Sequence, residues 1–408
     1  MVTPILAACR GENQRRQGQR VQNESTFDLL LNVQGPAGNG RASRYLERSS
    51  HLNLFRTAPD SIYRIGFLFF CCGSISMTEG TTTLHDKFGR QITDLRISVT
   101  DRCNFRCVYC RSADPENYRE HDEILAWPEL HRLARIFKGL GIRKIRVTGG
   151  EPLVRPGVED FIVHLRELGT EDISMTTNGH LLAERLARLV SAGLQRINIS
   201  LDSLERDKFE RITRTKSFAS VMSGINAVQS STLAPAKINA VLVRGINDDE
   251  VENFAIFARE RGLIMRFIEF MPLDADRHWT RDVVVPAAEI HQRIHSRWPL
   301  EQIPHERSET ARKYRFADGT PGEIGFIAPV TQPFCGHCSR IRLTADGKIR
   351  TCLFSKEDHD LRSRLREGAN DDHLEIYIRS VVMEKEEGHR INQADFRPPT
   401  RSMVFIGG

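Results

Sequence analysis

The sequence predicts an α/β protein, a partial (βα)6 TIM-like barrel with a smaller C-terminal domain. Three observations predict it. From residue 94 to about residue 275, short β-rich runs alternate with amphipathic helical stretches, the order expected of repeated βα units around a parallel sheet. Four of those runs carry apolar residues on one face and polar or cationic residues on the other. After about residue 275 the alternation stops and a new pattern begins. The expected division is therefore 1–76, 77–275 and 276–408.

Taken in order, the strand candidates are 94–99, 142–148, 172–177, 196–201, 237–243 and 264–270. Between them, the stretch 127–140 sets Leu130, Leu133, Ala134, Phe137 and Leu140 on one helical face. Similar periodicity marks 181–192 and 248–261, and Asn247 or Asp248 is placed to cap the latter. Within the strands, Leu95, Ile97 and Val99 oppose Arg96 and Ser98, and Ile145 and Val147 oppose Lys144, Arg146 and Thr148. Ile173 and Met175 oppose Ser174 and Thr176, and Ile197, Ile199 and Leu201 oppose Asn198, Ser200 and Asp202. A barrel with a purely structural interior carries branched apolar residues inside. A polar, largely cationic inner face predicts a lumen that holds something charged.

Residues 1–76 are rich in Arg, Gln, Asn, Gly and Ser and show little periodicity. They are expected to be disordered, or else to lie upstream of a start at Met77. The net charge of +5 is mild and is not gathered into long basic runs, so a nucleic-acid partner is not expected and a small polyanion fits at least as well. The longest apolar run, Phe67 to Cys72, falls far short of the ~20 residues of a membrane helix. No membrane span and no secretory leader are expected, which predicts a cytoplasmic protein whose nine cysteines are reduced. Cys9, Cys71 and Cys72 fall outside any motif and are read as free thiols.

Directly after the first strand, DRCNFRCVYC sets Cys103, Cys107 and Cys110 in C-x3-C-x2-C spacing. Three thiolates in one loop converge on a metal centre and leave a fourth position without a protein ligand. No His lies in the segment to complete a structural zinc site. The strand C-terminal ends form the active face of a parallel barrel, so chemistry is expected there. After the second strand, TGGEP (148–152) brings Gly149 and Gly150, whose backbone can approach a ligand closely. Further on, Cys335, Cys338 and Cys352 stand in C-x2-C-x13-C spacing, with Asp346-Gly347 as the turn of an intervening hairpin. From spacing alone, zinc with His337 or His359 as a fourth ligand stays open at this second set.

The first cysteine loop, with Tyr109 before its last Cys, resembles the signature of the radical S-adenosylmethionine (SAM) superfamily. That resemblance implies a 4Fe-4S cluster on Cys103, Cys107 and Cys110, with SAM on its open iron. It also implies SAM contacts from Tyr109, Gly149, Gly150, Glu151, Thr176, Ser200 and Met271. Together with the second cysteine set and its interleaved SRIRL, the chain from about Met77 to its end resembles the GTP 3′,8-cyclase (MoaA) family. What this implies is a second 4Fe-4S cluster on Cys335, Cys338 and Cys352, whose open iron takes the guanine of GTP. It implies catalytic roles for Arg96, Arg340 and Arg342, with Lys144, Arg146, Arg244 and Arg266 as further substrate contacts. Arg244 stands where many relatives are expected to carry Lys. The terminal Gly407 and Gly408 match a double-glycine tail that reaches the active site. The implied reaction is radical cyclisation of GTP in molybdenum cofactor synthesis. It needs an external electron donor, and its product passes to the cyclic pyranopterin monophosphate synthase. The sequence does not set the oligomeric state; a homodimer is compatible with it. A peptide-modifying radical SAM enzyme is the nearest alternative, though that group generally carries more C-terminal cysteines. A zinc-containing nucleic-acid-binding protein is the alternative from another class.

Overall fold

The computed structural model describes residues 83–112 and 118–407. The expectations for residues 1–76, Met77, Cys9, Cys71, Cys72 and Gly408 lie outside the described residues.

A short ribbon, β1 (Leu84–His85) and β2 (Gln91–Ile92), precedes the repeating units. These run β3 (Asp94–Ser98), α1 (Trp127–Gly139), β4 (Lys144–Thr148), α2 (Val158–Glu167), β5 (Asp172–Thr177), α3 (Leu182–Ala192) and β6 (Arg196–Ser200). They continue through α4 (Arg206–Thr213), α5 (Phe218–Gln229), β7 (Lys237–Leu242), α6 (Val251–Arg261) and β8 (Ile264–Glu269). Beyond them lie α7 (Ala287–Arg297), β9 (Leu300–Gln302), β10 (Arg312–Phe316), β11 (Glu323–Ile327), β12 (Arg340–Leu343) and β13 (Lys348–Arg350). The chain closes with β14 (His359–Asp360), α8 (Arg362–Arg366), α9 (Asp371–Met383) and α10 (Met403–Ile406). Each expected barrel strand is present, within two residues at either end.

Strands β3 to β8 lie side by side in chain order, all parallel. Strand β12 joins β3 in parallel, and β11 joins β8 in parallel. The segment after residue 275 thus supplies one strand to each edge of the six-stranded wall. Those edges would otherwise present unpaired backbone groups.

The apolar strand face and the helices form one core. Ile97, Val147, Met175 and Ile199 are fully buried, and so is the predicted α1 face of Leu130, Leu133, Ala134, Phe137 and Leu140. Truncating one such leucine to alanine costs about 2–5 kcal/mol. The predicted hairpin turn also forms: β12 and β13 pair antiparallel, with Gly347 at φ 73°. The expected cap on α6 does not. The Asn247 side chain instead accepts from Val243 N and donates to the carbonyls of Asp202 and Val241, at 2.8, 2.7 and 2.9 Å. Asp248 accepts from Gly245 N, and the helix begins through a 3₁₀ turn at Asp248–Glu250. Satisfying buried strand-end groups outweighs capping there.

Candidate active site

The strand register lines up arginines. Arg342 on β12 is the pairing partner of Arg96 on β3, and Arg96 is the partner of Arg146 on β4. The row continues to Ser174 on β5 and Arg196 on β6. Paired residues on adjacent strands point to the same face, so Arg342, Arg96 and Arg146 follow one strand spacing apart in the barrel interior, and Arg196 stands two spacings from Arg146. Crowding cations away from water is unfavourable, and their acidities record it. Burial, then Arg342 and Arg340, hold Arg96 well below the usual range. Burial and then Arg340 bring Arg342 down to about 9, and Arg146 is lowered by burial and by Arg96 and Arg266. Arg266 Nε, Asn239 Oδ1 and Ser98 Oγ are buried without a hydrogen-bond partner. A buried donor without a partner beside a row of cations is what an anion would satisfy.

The second cysteine set opens onto that row. Cys335, Cys338 and Cys352 line a cavity of about 170 Å³ together with Arg96, Arg146, Arg266, Arg340 and Arg342. Thr176 and Met271 line it as well. A second cavity of about 110 Å³ shares Arg96, Arg146, Arg266 and Arg340 and adds Lys144 and Arg196. Burial pushes the Cys338 thiol up, but Arg340 and Lys385 outweigh it and bring the thiol down to about 6. Burial and then Glu386 push Cys352 up to about 11. A set with one thiol easily ionised beside cations, and two that ionise on binding metal, suits a thiolate-bound metal centre.

The first cysteine set sits at the other end of the barrel. Cys338 lies just before β12, which starts level with Asp94 at the beginning of β3, and Cys103 follows the end of β3. Five residues of β3 span about 16 Å, so the arginine row lies between the two sets. Burial pushes Cys103 up to about 11 and also raises Cys107, which feels the neighbouring Cys110 and Cys103 charges. Among the described residues, no three Cys, His, Asp or Glu groups close on a single ion.

The glycines of TGGEP have an immediate structural reason. A Cβ on Gly149 would stand 2.5 Å from Thr100 O, and one on Gly150 would stand 2.5 Å from Arg102 O. Gly150 N donates to Thr100 O and Glu151 N to Arg102 O, at 2.8 and 2.9 Å. The two loops are thus zipped backbone to backbone, so glycine is required where the cysteine loop passes. Glu151 is buried and accepts from Leu153 N, Thr177 Oγ1 and Asn178 N at 3.0, 2.8 and 2.6 Å. Its carboxyl is raised to about 7 by burial. The Tyr109 hydroxyl donates to Asp202 at 2.6 Å and anchors the cysteine loop to the end of β6.

The C-terminal tail reaches the row. Gly407 has φ 83°, and its carbonyl accepts from Arg342 Nη1. A Cβ there would meet Ser98 Oγ at 2.9 Å and Ser98 Cβ at 3.0 Å.

Other expected residues are not brought to the same place. Ser200 is half-buried at the end of β6 and lines neither cavity. Lys144 lines only the smaller cavity and pairs with Glu306 at 3.2 Å. Arg244 lies beyond the end of β7, lines neither cavity and pairs with Glu289 at 2.6 Å. Sequence reading missed Arg196 and Lys237, which begin β6 and β7. Burial, then Arg266, Arg196 and Arg146, lower the Lys237 ammonium to about 8. Extending the parity of Asn198 and Ser200 two residues towards the strand's start would have found Arg196, and applying the same alternation to 237–243 would have found Lys237.

With this geometry in place, comparison with known proteins is direct. The model of the Radical SAM superfamily matches residues 97–258, and that of Molybdenum Cofactor Synthesis C matches residues 263–391. The GTP 3′,8-cyclase of Paenarthrobacter nicotinovorans is 43% identical over 343 residues, covering 80% of this chain and 97% of that protein. That of Moorella thermoacetica is 44% identical over 328 residues, covering 80% of this chain and all of the relative. Among solved structures, SuiB of Streptococcus suis bound to S-adenosylmethionine is similar at 13% identity, covering 77% of each chain with a TM-score of 0.49. Since the identity runs through almost the whole length of these relatives, the chain belongs to the GTP 3′,8-cyclase family of radical SAM proteins.

Proposed function

We infer that this chain is a radical SAM GTP 3′,8-cyclase, converting GTP to (8S)-3′,8-cyclo-7,8-dihydroguanosine 5′-triphosphate in the first step of molybdenum cofactor biosynthesis. The observation that carries this reading is the arginine row between two cysteine sets at opposite ends of one barrel. Cys103, Cys107 and Cys110 would hold one 4Fe-4S cluster, and Cys335, Cys338 and Cys352 the other. When bound, the clusters and SAM supply the electron and the carbon radical that open the reaction at the ribose.

The chain's own residues bind, orient and exclude water. Arg96, Arg146, Arg266, Arg340 and Arg342 take the triphosphate through charge-assisted hydrogen bonds of about 1.5–3 kcal/mol each, and Lys237, which lines neither cavity, adds its charge from the start of β7. Arg96, Arg340 and Arg342 act nearest the reacting atoms. Gly149, Gly150 and Glu151 hold the cysteine loop in register with β4, while Tyr109, Thr176 and Met271 contact SAM. The Gly407 carbonyl fixes the direction of the Arg342 guanidinium. The division at about residue 275 then separates the six central strands of the barrel from the part that would carry the second cluster and adds a strand to each edge.

Beyond the site, the reaction calls for an external reductant, and its product serves the cyclic pyranopterin monophosphate synthase. A cytoplasmic location fits a chain in which no helix of the described residues is long and apolar enough to cross a membrane.

The test is anaerobic reconstitution followed by incubation with dithionite and SAM, with and without GTP, read by mass spectrometry. GTP-dependent 5′-deoxyadenosine together with an isomer of GTP is the expected result. SAM cleavage without a GTP-derived product would overturn the substrate assignment, and no cleavage in protein holding both clusters would overturn the superfamily chemistry.

A further inference from the structure

Beneath the second cysteine set lies a buried cation that the reaction does not call upon. Lys385 follows the end of α9 and is 2% exposed. Its ammonium donates to Arg340 O at 2.9 Å and to Thr351 O. Arg340 stands two residues after Cys338, and Thr351 immediately precedes Cys352. In the β12–β13 register, with Arg342 opposite Arg350, these carbonyls lie at the open end of the hairpin, where the cysteines are carried. One side chain therefore ties together both strands that hold the ligands.

The identity of its acceptors matters. Among the described residues no carboxylate pairs with Lys385; its hydrogen bonds go to neutral main-chain carbonyls, which satisfy the donors and leave the charge intact. A buried charge without a counter-charge is costly. The groups nearest this one are the ligand-bearing segments themselves, since its two acceptors each lie within two residues of a cysteine, Arg340 after Cys338 and Thr351 before Cys352. Three thiolates on an iron-sulfur core leave the assembly with net negative charge. Filling the site would therefore supply the counter-charge that Lys385 lacks.

We propose that Lys385 is the positioning residue of the second cluster, holding the cysteine hairpin by its carbonyls and placing a buried positive charge beside the strand ends that carry the thiolates. The proposal rests on the reading of Cys335, Cys338 and Cys352 as cluster ligands. It has two consequences. The ammonium favours the loaded site over the empty one, and it favours the reduced cluster, the more negative of the two redox states.

The test uses the reconstituted full-length chain, both with its own first cysteine set and in a Cys103→Ala/Cys107→Ala/Cys110→Ala background that leaves the second set alone. Lys385→Met keeps the length of the side chain and removes the charge; Lys385→Arg keeps the charge. In the background chain, Lys385→Met is expected to lower the midpoint potential of the cluster. It is also expected to speed iron loss to a chelator about 10- to 100-fold, the range found when partners of metal ligands are removed. Lys385→Arg is expected to restore the potential. In the chain with both sets, SAM-dependent behaviour of the first cluster stays unchanged. A lower melting temperature in Lys385→Met with unaltered potential and iron retention would make the residue a structural tie only and overturn the proposal. If the background chain with Lys385 in place takes up no iron, the reading of the second cysteine set fails first, and that outcome is seen before any Lys385 variant is compared.

Discussion

The Gly407 carbonyl accepts a hydrogen bond from the Arg342 guanidinium, so the end of the chain sets the direction of a cation that β12 delivers to the barrel interior. The glycine is needed twice, for its φ of 83° and for the 2.9 Å that separates its missing Cβ from Ser98 Oγ. Gly407→Val should undock the tail at a cost of about 1–3 kcal/mol, which corresponds to a roughly 10- to 100-fold fall in GTP-derived product. Iron content should not change, because the cysteines are untouched. Product formation against iron per chain is the measurement, and equal losses of both would argue for general misfolding instead.

Arg146 stands in the middle of the cationic row, paired in register with Arg96. Arg146→Ala removes a charged donor from the centre of the anion site. Loss of about 1.5–3 kcal/mol, or roughly 10- to 100-fold in GTP affinity, is expected by equilibrium dialysis. The same substitution should leave GDP and GTP less well distinguished. An affinity unchanged within twofold would remove Arg146 from the triphosphate site.

Lys237 gives the site a pH dependence whose sign can be stated. In the free protein its ammonium is lowered to about 8, first by burial and then by Arg266, Arg196 and Arg146. A bound polyanion acts in the opposite sense and raises it, so binding takes up a proton near and above pH 8. GTP affinity should be full below pH 8 and fall as pH rises through it, by at most about tenfold per pH unit for one proton. Calorimetry in buffers of different ionisation enthalpy would detect the proton. In Lys237→Arg the dependence between pH 8 and 9 should flatten, because a guanidinium keeps its charge throughout that range.

Arg244 is expected to behave differently from the other arginines. It is 40% exposed along its side chain and pairs with Glu289 outside both cavities. Exposed pairs contribute about 0–1 kcal/mol, so Arg244→Ala should leave GTP affinity within a few-fold of the parent. A loss comparable to that of Arg146→Ala would show that the loop after β7 closes on the substrate.

These positions separate what is legible in the amino-acid sequence from what is not. Strand parity alone places Arg96 and Arg146 on the inner face, because alternation is a local property of the backbone. It cannot say that Arg342 pairs with Arg96, since that register joins segments far apart in the chain. Arg244 is hard to place from sequence for the same reason: its neighbourhood resembles the family motif, but its pairing depends on Glu289, which α7 brings up from elsewhere. The glycines of TGGEP are legible as a close approach, although the partner is the neighbouring cysteine loop. Lys385 leaves no trace in the sequence, because nothing local marks a lysine whose acceptors are distant carbonyls.

The parallel pairing of β12 with β3 also fixes an order of events during synthesis. Asp94 N donates to Ser339 O at 3.0 Å, and the two residues are 245 positions apart. At about 5–20 residues per second, the ribosome needs on the order of 10–50 s to make the intervening chain. The first cysteine loop therefore emerges long before β12, which covers the β3 edge of the wall, exists. Cys103, Cys107 and Cys110 are thus exposed on the nascent chain first, whereas the second cysteine set and the cationic cavity come into being only once β12 and β13 have been made.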